Sequence, residues 1–248
     1  MRIAALVIAA LVAAAPAGAS EDLVSGLSQD TVEITSNYTG TDIVVFGAIE
    51  RPEEAGANDI IVVVRGPAVD MTVRQKEWVA GIWINHDQAK LVAMPTFYYL
   101  SSTRPLDRIA PAFTLERYGL GLDNIAPARI VSHHDPEPFR QALIRRKQAE
   151  GVYGEAPAGV ELLSPTLFRA RIPVAATVTP GQYSVDVYLL RDGTVISAQS
   201  TPLYVQQTGL ERRLYNLAHV EPFWYGILTV TMASLLGWLS AAAFRRNE

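Results

Sequence analysis

Cysteine is absent from the 248 residues, which excludes a disulfide framework, a thiol nucleophile and the cysteine that a lipid-modified anchor would need after a leader. An exported body of roughly 200 residues is long enough to fold by burial alone. Histidine is scarce, with four in the chain. Gly-x-Ser-x-Gly, His-Glu-x-x-His and Gly-rich phosphate loops do not occur, so no motif supplies a nucleophile with its base, a metal with its ligands or a phosphate cradle. No catalytic residue, enzyme activity or cofactor is expected on that basis. Excess positive charge is missing too. The formal net charge is −4 at pH 7, the wrong sign for a nucleic-acid partner.

What the sequence does have is apolar ends. Phe223 to Phe244 is 22 residues without a formal charge, and at about 1.5 Å per residue such a helix spans the ~30 Å hydrocarbon core of a bilayer. Trp224 and Tyr225 stand where amphipathic rings favour the headgroup level, and Arg245 and Arg246 follow at the other end, where positive charge marks the cytoplasmic side. The first 19 residues read as a signal peptide, with Arg2, an apolar run from Ile3 to Ala15, Pro16 and a small-residue cleavage pattern at Ala17-Gly18-Ala19. The expected topology is a single pass in the bacterial inner membrane, with residues 20–208 in the periplasm and a cytoplasmic tail at 245–248. A membrane helix covers 222–244, and an amphipathic juxtamembrane helix is expected over 209–221, with Leu210, Leu214 and Leu217 on one face.

The outer part alternates with the period of strands. In GQYSVDVYLLRDGTVISAQS, Tyr183, Val185, Val187 and Leu189 share one face. Asp192-Gly193 fits a type I′ turn that would set Leu189 opposite Ile196 and Val187 opposite Ala198. Phe168, Ala170 and Ile172 repeat the alternation. The runs Ile43–Ile49 and Ile60–Val64 are apolar on both faces, which predicts central strands covered on both sides. A further hairpin is expected to turn between Asn85 and Gln88. Short strands at this spacing predict a mainly β fold, an immunoglobulin-like β-sandwich ectodomain, with a helical insertion at about 105–150 and one C-terminal transmembrane helix.

The stretches DIVVFGAI, IIVVVRGP, VAGIWIN, PTFYYLSSTRPL, LFRARI, PGQYSVDVYLLRDG and GWLSAAAFRR together resemble the uncharacterised transmembrane protein family of alphaproteobacteria. The resemblance implies an exported domain with a single C-terminal span and association with a permease of the sulfite-exporter type. It implies no active-site residues.

Among candidate sites, His133, His134 and Asp135 are side chains that metals accept, but neighbours on an extended strand point opposite ways, so a solvated turn before a capped helix is expected instead. Asp135 would cap that helix. The basic runs Val73–Lys76 and Ile144–Lys147 read as wet surface or as a patch for anions or lipid headgroups. Phe97 and Tyr99 are expected in the core, with Tyr98 opposite. Ala233, Gly237 and Ala241 align small side chains on one face of the span, where a second membrane protein or another copy could pack. These features predict a membrane-anchored binding or accessory module. The alternatives are a tethered metal-dependent enzyme and a capture domain for an anionic solute that uses Arg65, Arg74 or Arg104.

Overall fold

Alternation in the sequence becomes two packed sheets with an inner and an outer face. A computed structural model describes residues 22–35, 38–50, 58–79, 81–208, 218–219 and 221–245. One sheet has the order β1 (Asp22–Leu27), β3 (Thr41–Glu50), β11 (Leu167–Val174), β10 (Val160–Leu162). The second runs β2 (Thr31–Ile34), β13 (Thr194–Gln207), β12 (Gly181–Arg191), β4 (Asn58–Arg65), β7 (Tyr98–Ser102), β9 (Tyr153–Ala156). The two sheets meet where β1 touches β13, β11 touches β7 and β10 touches β4, and their inner residues join one apolar core. The fold is mainly β, a sandwich as expected, with two parallel pairings, β2 with β13 and β7 with β9.

Strand β4 lies between β12 and β7, and Asn58 through Val64 are all buried, which is why its sequence is apolar at consecutive positions. Strand β3 corrects that same expectation. It is central in its sheet, but Phe46 is half exposed on the outer face, so apolar composition there does not mean cover on both sides. The β12–β13 turn is as expected, with Asp192 at φ 47° and Gly193 at φ 78°. Its register is not. A bulge after Arg191–Thr194 and Leu190–Val195 sets Leu189 opposite Ser197 and Val187 opposite Gln199, because Ile196 is the extra residue on its strand.

A third sheet stands apart: β5 (Ala68–Val79), β6 (Ile82–Pro95) and β8 (Arg129–Ser132). Here the hairpin turns beside Gly81, at φ 89°, and β6 continues through Asn85–Gln88 as a strand, with His86 bulged between the Lys76–Asn85 and Gln75–Asp87 pairs. The polar run that resembled a turn is a strand wet on both faces, so its composition carries no turn requirement.

The 105–150 segment holds α1 (Leu106–Ile109), α2 (Ala112–Tyr118), a 3-10 turn at Leu122–Asn124, strand β8 and α3 (Glu137–Ala149). It is therefore not wholly helical. Helix α3 begins where the Asp135 carboxylate accepts the Glu137 amide at 3.1 Å. It buries Phe139, Leu143 and Ile144 and ends at Gly151, whose φ of 73° only glycine adopts without strain. Tyr98 pins the segment to the sandwich. Its hydroxyl accepts from the Gly121 amide at 2.9 Å and donates to the Gly119 carbonyl at 3.0 Å. Phe97 is buried as expected, but Tyr98 is fully buried and Tyr99 only partly so, which reverses the expectation for that pair: the insertion covers the face that sequence alternation left open.

Helix α4 (Pro222–Arg245) is exposed over Pro222–Ser240, which has a mean hydropathy of 1.3. The signal-peptide region, most of the juxtamembrane segment and Arg246–Glu248 lie outside the described residues, and no side-chain placement is described for Ala241 or Arg245.

Candidate cationic cleft and β arm

Strand β8 pairs with β6 only at Ala89–Val92, so the part of β6 from Ile82 to Gln88 has β5 as its one partner. At ~3.3 Å per residue this leaves a two-stranded arm of about 20 Å. Arg74 to Trp78 and Gly81 to His86 are exposed without alternation, so both faces of the arm meet solvent. At its tip Trp78 and Trp83 stack edge to face with centroids 5.2 Å apart.

Where the arm joins the body, β5 and α3 flank a cleft whose larger lobe is about 700 Å³; a smaller lobe of about 350 Å³ adjoins it at Thr72 and Arg74 and is lined from β5, β6 and the end of β8. Met71, Val73 and Leu143 give the larger lobe an apolar floor, and Arg74, Lys76, Arg146 and Lys147 surround it. Glu150 answers two of these cations, Arg146 and Lys147, each at 2.9 Å. Those bonds, Lys147 first, hold its carboxyl below the ordinary range. Arg74 contacts Gln88 at 3.5 Å, and Lys76 has no ion pair among the described residues. The smaller lobe shares Thr72 and Arg74 and adds Lys90 and His133. Two basic runs more than sixty positions apart in sequence thus converge on one cleft. Its chemistry is attraction of a negative group beside an apolar surface.

The remaining candidates separate. Arg65 is bound to Asp186 at 2.5 Å and to the Tyr118 carbonyl at 2.9 Å. Arg104 is held by the buried carboxylate of Asp59, one bond being 2.8 Å. Both brace the fold, and Arg74 alone of the three lines the cleft. His134 Nδ1 lies 2.8 Å from Asp87, His133 faces the smaller lobe, and Asp135 caps α3. His86 pairs with Glu77 on the arm at 3.1 Å. Among the described residues no three His, Asp or Glu side chains gather as a metal site would require.

The family described as "Putative transmembrane protein (Alph_Pro_TM)" matches residues 22–246. The chain belongs to this family. Membership in Alph_Pro_TM agrees with α4 as a membrane anchor and with the resemblance read from the sequence. No curated protein matches. Among solved structures, the first domain of VCBP3 from Branchiostoma floridae is similar at 8% identity and a TM-score of 0.27, over 76% of this chain and 97% of that one. A likeness at that level carries no argument.

The hairpin of the arm was expected from the sequence, but its turn and its length were not. The signal for its turn was the near-mirror WVAGIW, in which Ala80-Gly81 separates Trp78-Val79 from Ile82-Trp83.

Proposed function

We propose that the chain is a membrane-anchored binding or accessory module on the periplasmic side of the bacterial inner membrane, which takes an organic anion in the cleft between β5 and α3. The observation that carries this reading is the convergence of Arg74, Lys76, Arg146 and Lys147 over an apolar floor with one carboxylate, Glu150, among them. An anionic head would meet Arg74 and Lys76, and an apolar body would cover Met71 and Val73. The permease association implied by the family resemblance gives such a module a neighbour to serve. The exposed Ala233–Gly237 face of α4 is the proposed contact with that neighbour or with another copy.

The test uses the full chain in neutral phosphatidylcholine nanodiscs, titrated calorimetrically with benzenesulfonate. Saturable binding that weakens with added salt, and by about tenfold or more in Arg74→Ala/Lys76→Ala, is expected for loss of charge-assisted contacts. An absence of saturable heat, or equal affinity in the double variant, overturns the reading.

A further inference from the structure

We infer that the tip of the β5–β6 arm lies in the lipid interface of the bilayer that holds α4. The apolar tip carries it; Lys76 and Arg74 behind the tip also line the cleft. Cross-strand pairing puts Trp78 with Trp83 on one face of the ribbon and Ile84 on the opposite face, with Ile82 paired to Val79. Trp78, Ile82, Trp83 and Ile84 are 56%, 62%, 64% and 38% exposed. A ribbon that docks on a protein surface needs one apolar face. This one is apolar on both, and the character changes along its length instead.

Two residues behind Trp78 comes Lys76, and four behind it Arg74, about 7 and 13 Å back at ~3.3 Å per residue. His86 bonds Glu77 and draws its carboxylate away from the turn. The boundary between apolar and charged residues therefore cuts across the strands, as a planar water–lipid boundary would. A headgroup layer of about 5–7 Å on each side of the hydrocarbon sets Lys76 among the phosphates when the indoles occupy the interfacial zone. The outer edges of a two-stranded ribbon keep unpaired N–H and C=O groups, so the tip stops at that zone and does not enter the hydrocarbon.

The bilayer is also the surface within reach. Between Thr208, after the last strand, and Pro222, at the start of α4, the chain spans at most about 50 Å. A tether of that length raises the effective concentration of the tip at the membrane. A second copy is a poorer occupant, because the tip offers four large apolar side chains where a stable protein interface engages about 20–30 residues a side.

Tryptophan fluorescence tests this directly. The chain has four tryptophans; replacing Trp224→Phe and Trp238→Phe leaves Trp78 and Trp83 as reporters. In vesicles of phosphatidylcholine with a quarter phosphatidylglycerol, lipid brominated near the headgroup is expected to quench their emission about twofold or more, and lipid brominated deep in the chain much less, as for interfacial rings. Adding Ile82→Asp and Ile84→Asp is expected to abolish the quenching while the thermal melting of the β body stays unchanged. Water-like emission with no quenching by brominated lipid overturns the inference. So does blue-shifted emission that depends on protein density and ignores brominated lipid, which would mean that another copy covers the tip.

Discussion

Removing one oxygen from Tyr98 tests how the inserted segment, and with it α3 and the cleft, is held to the sandwich. In Tyr98→Phe the ring and its packing remain. Only the hydroxyl goes, taking its bonds to the Gly121 amide and the Gly119 carbonyl. The two partners fare differently. Arg65 Nη2 also donates to the Gly119 carbonyl, at 3.2 Å, so that acceptor keeps a partner. The Gly121 amide has no such reserve, and its φ of 106° prevents the loop from easily turning it elsewhere. An orphaned buried donor costs about 1–3 kcal/mol, and a domain of this size loses about 2–4 °C in Tm per kcal/mol. A fall of about 4–8 °C follows, for ~2 kcal/mol, by circular dichroism on the full chain in nanodiscs. Burial pushes the Tyr98 phenol above its ordinary range, so the loss should be the same from acid to mildly basic pH. Hydrogen exchange at Gly121 should accelerate in parallel. An unchanged Tm together with unchanged exchange at Gly121 would refute the anchoring role.

Gly47→Ala places a Cβ 2.4 Å from the Val24 carbonyl oxygen and 2.5 Å from the Phe168 ring; a loss of about 1–3 kcal/mol or more is expected from the denaturation midpoint at constant m. Burial raises the Glu155 carboxyl, so its native charge is a liability that grows as pH rises past the ordinary glutamate range. Glu155→Gln, which keeps an oxygen for the Leu122 amide, should raise Tm at pH 7 and converge with the parent in acid. Glu137 has the opposite sign: its bonds, Arg140 first, lower its carboxyl to about 2 from 4.5. That contribution is present above about 4.5 and fades as pH falls toward 2, modestly because Glu137 is partly exposed; Glu137→Gln should flatten this limb of the Tm–pH curve. A Cβ at Gly237 meets nothing within 4 Å, so Gly237→Leu should leave the melting of the β body unchanged while co-purification of a helix packed on that face is lost.

The parts of this fold legible in sequence are those where one rule governs a whole element. In β12, Tyr183, Val185, Val187 and Leu189 all turn inward because a strand with one wet face has no other arrangement. The Asp192-Gly193 turn was equally legible, since positive φ at both positions narrows the choice of residues. Its register was not, because a bulge at Ile196 adds no residue type that alternation would flag. Tyr98 was misplaced for a different reason. Which face of β7 is covered depends on α2 and the 3-10 turn, whose residues follow it in sequence. The cleft failed in the same way: Arg74 and Lys76 look like ordinary wet surface until α3 brings Arg146 and Lys147 beside them.

The arm shows the deeper limit. Sequence reading of strands assumes that apolar means inward, and Trp78, Ile82, Trp83 and Ile84 break that assumption by lying beyond any body they could turn toward. A chain that spends two tryptophans on exposed positions forgoes the stability that burying them would bring, about 1.5–3 kcal/mol for a large apolar side chain. An isolated two-stranded ribbon is also marginal in water. Both costs fall away if the surroundings of the tip are not water. The same physics that makes α4 legible as a span, apolar surface facing outward because its solvent is lipid, accounts for the exposed Trp78, Ile82, Trp83 and Ile84 once the tip is placed in the interface as proposed.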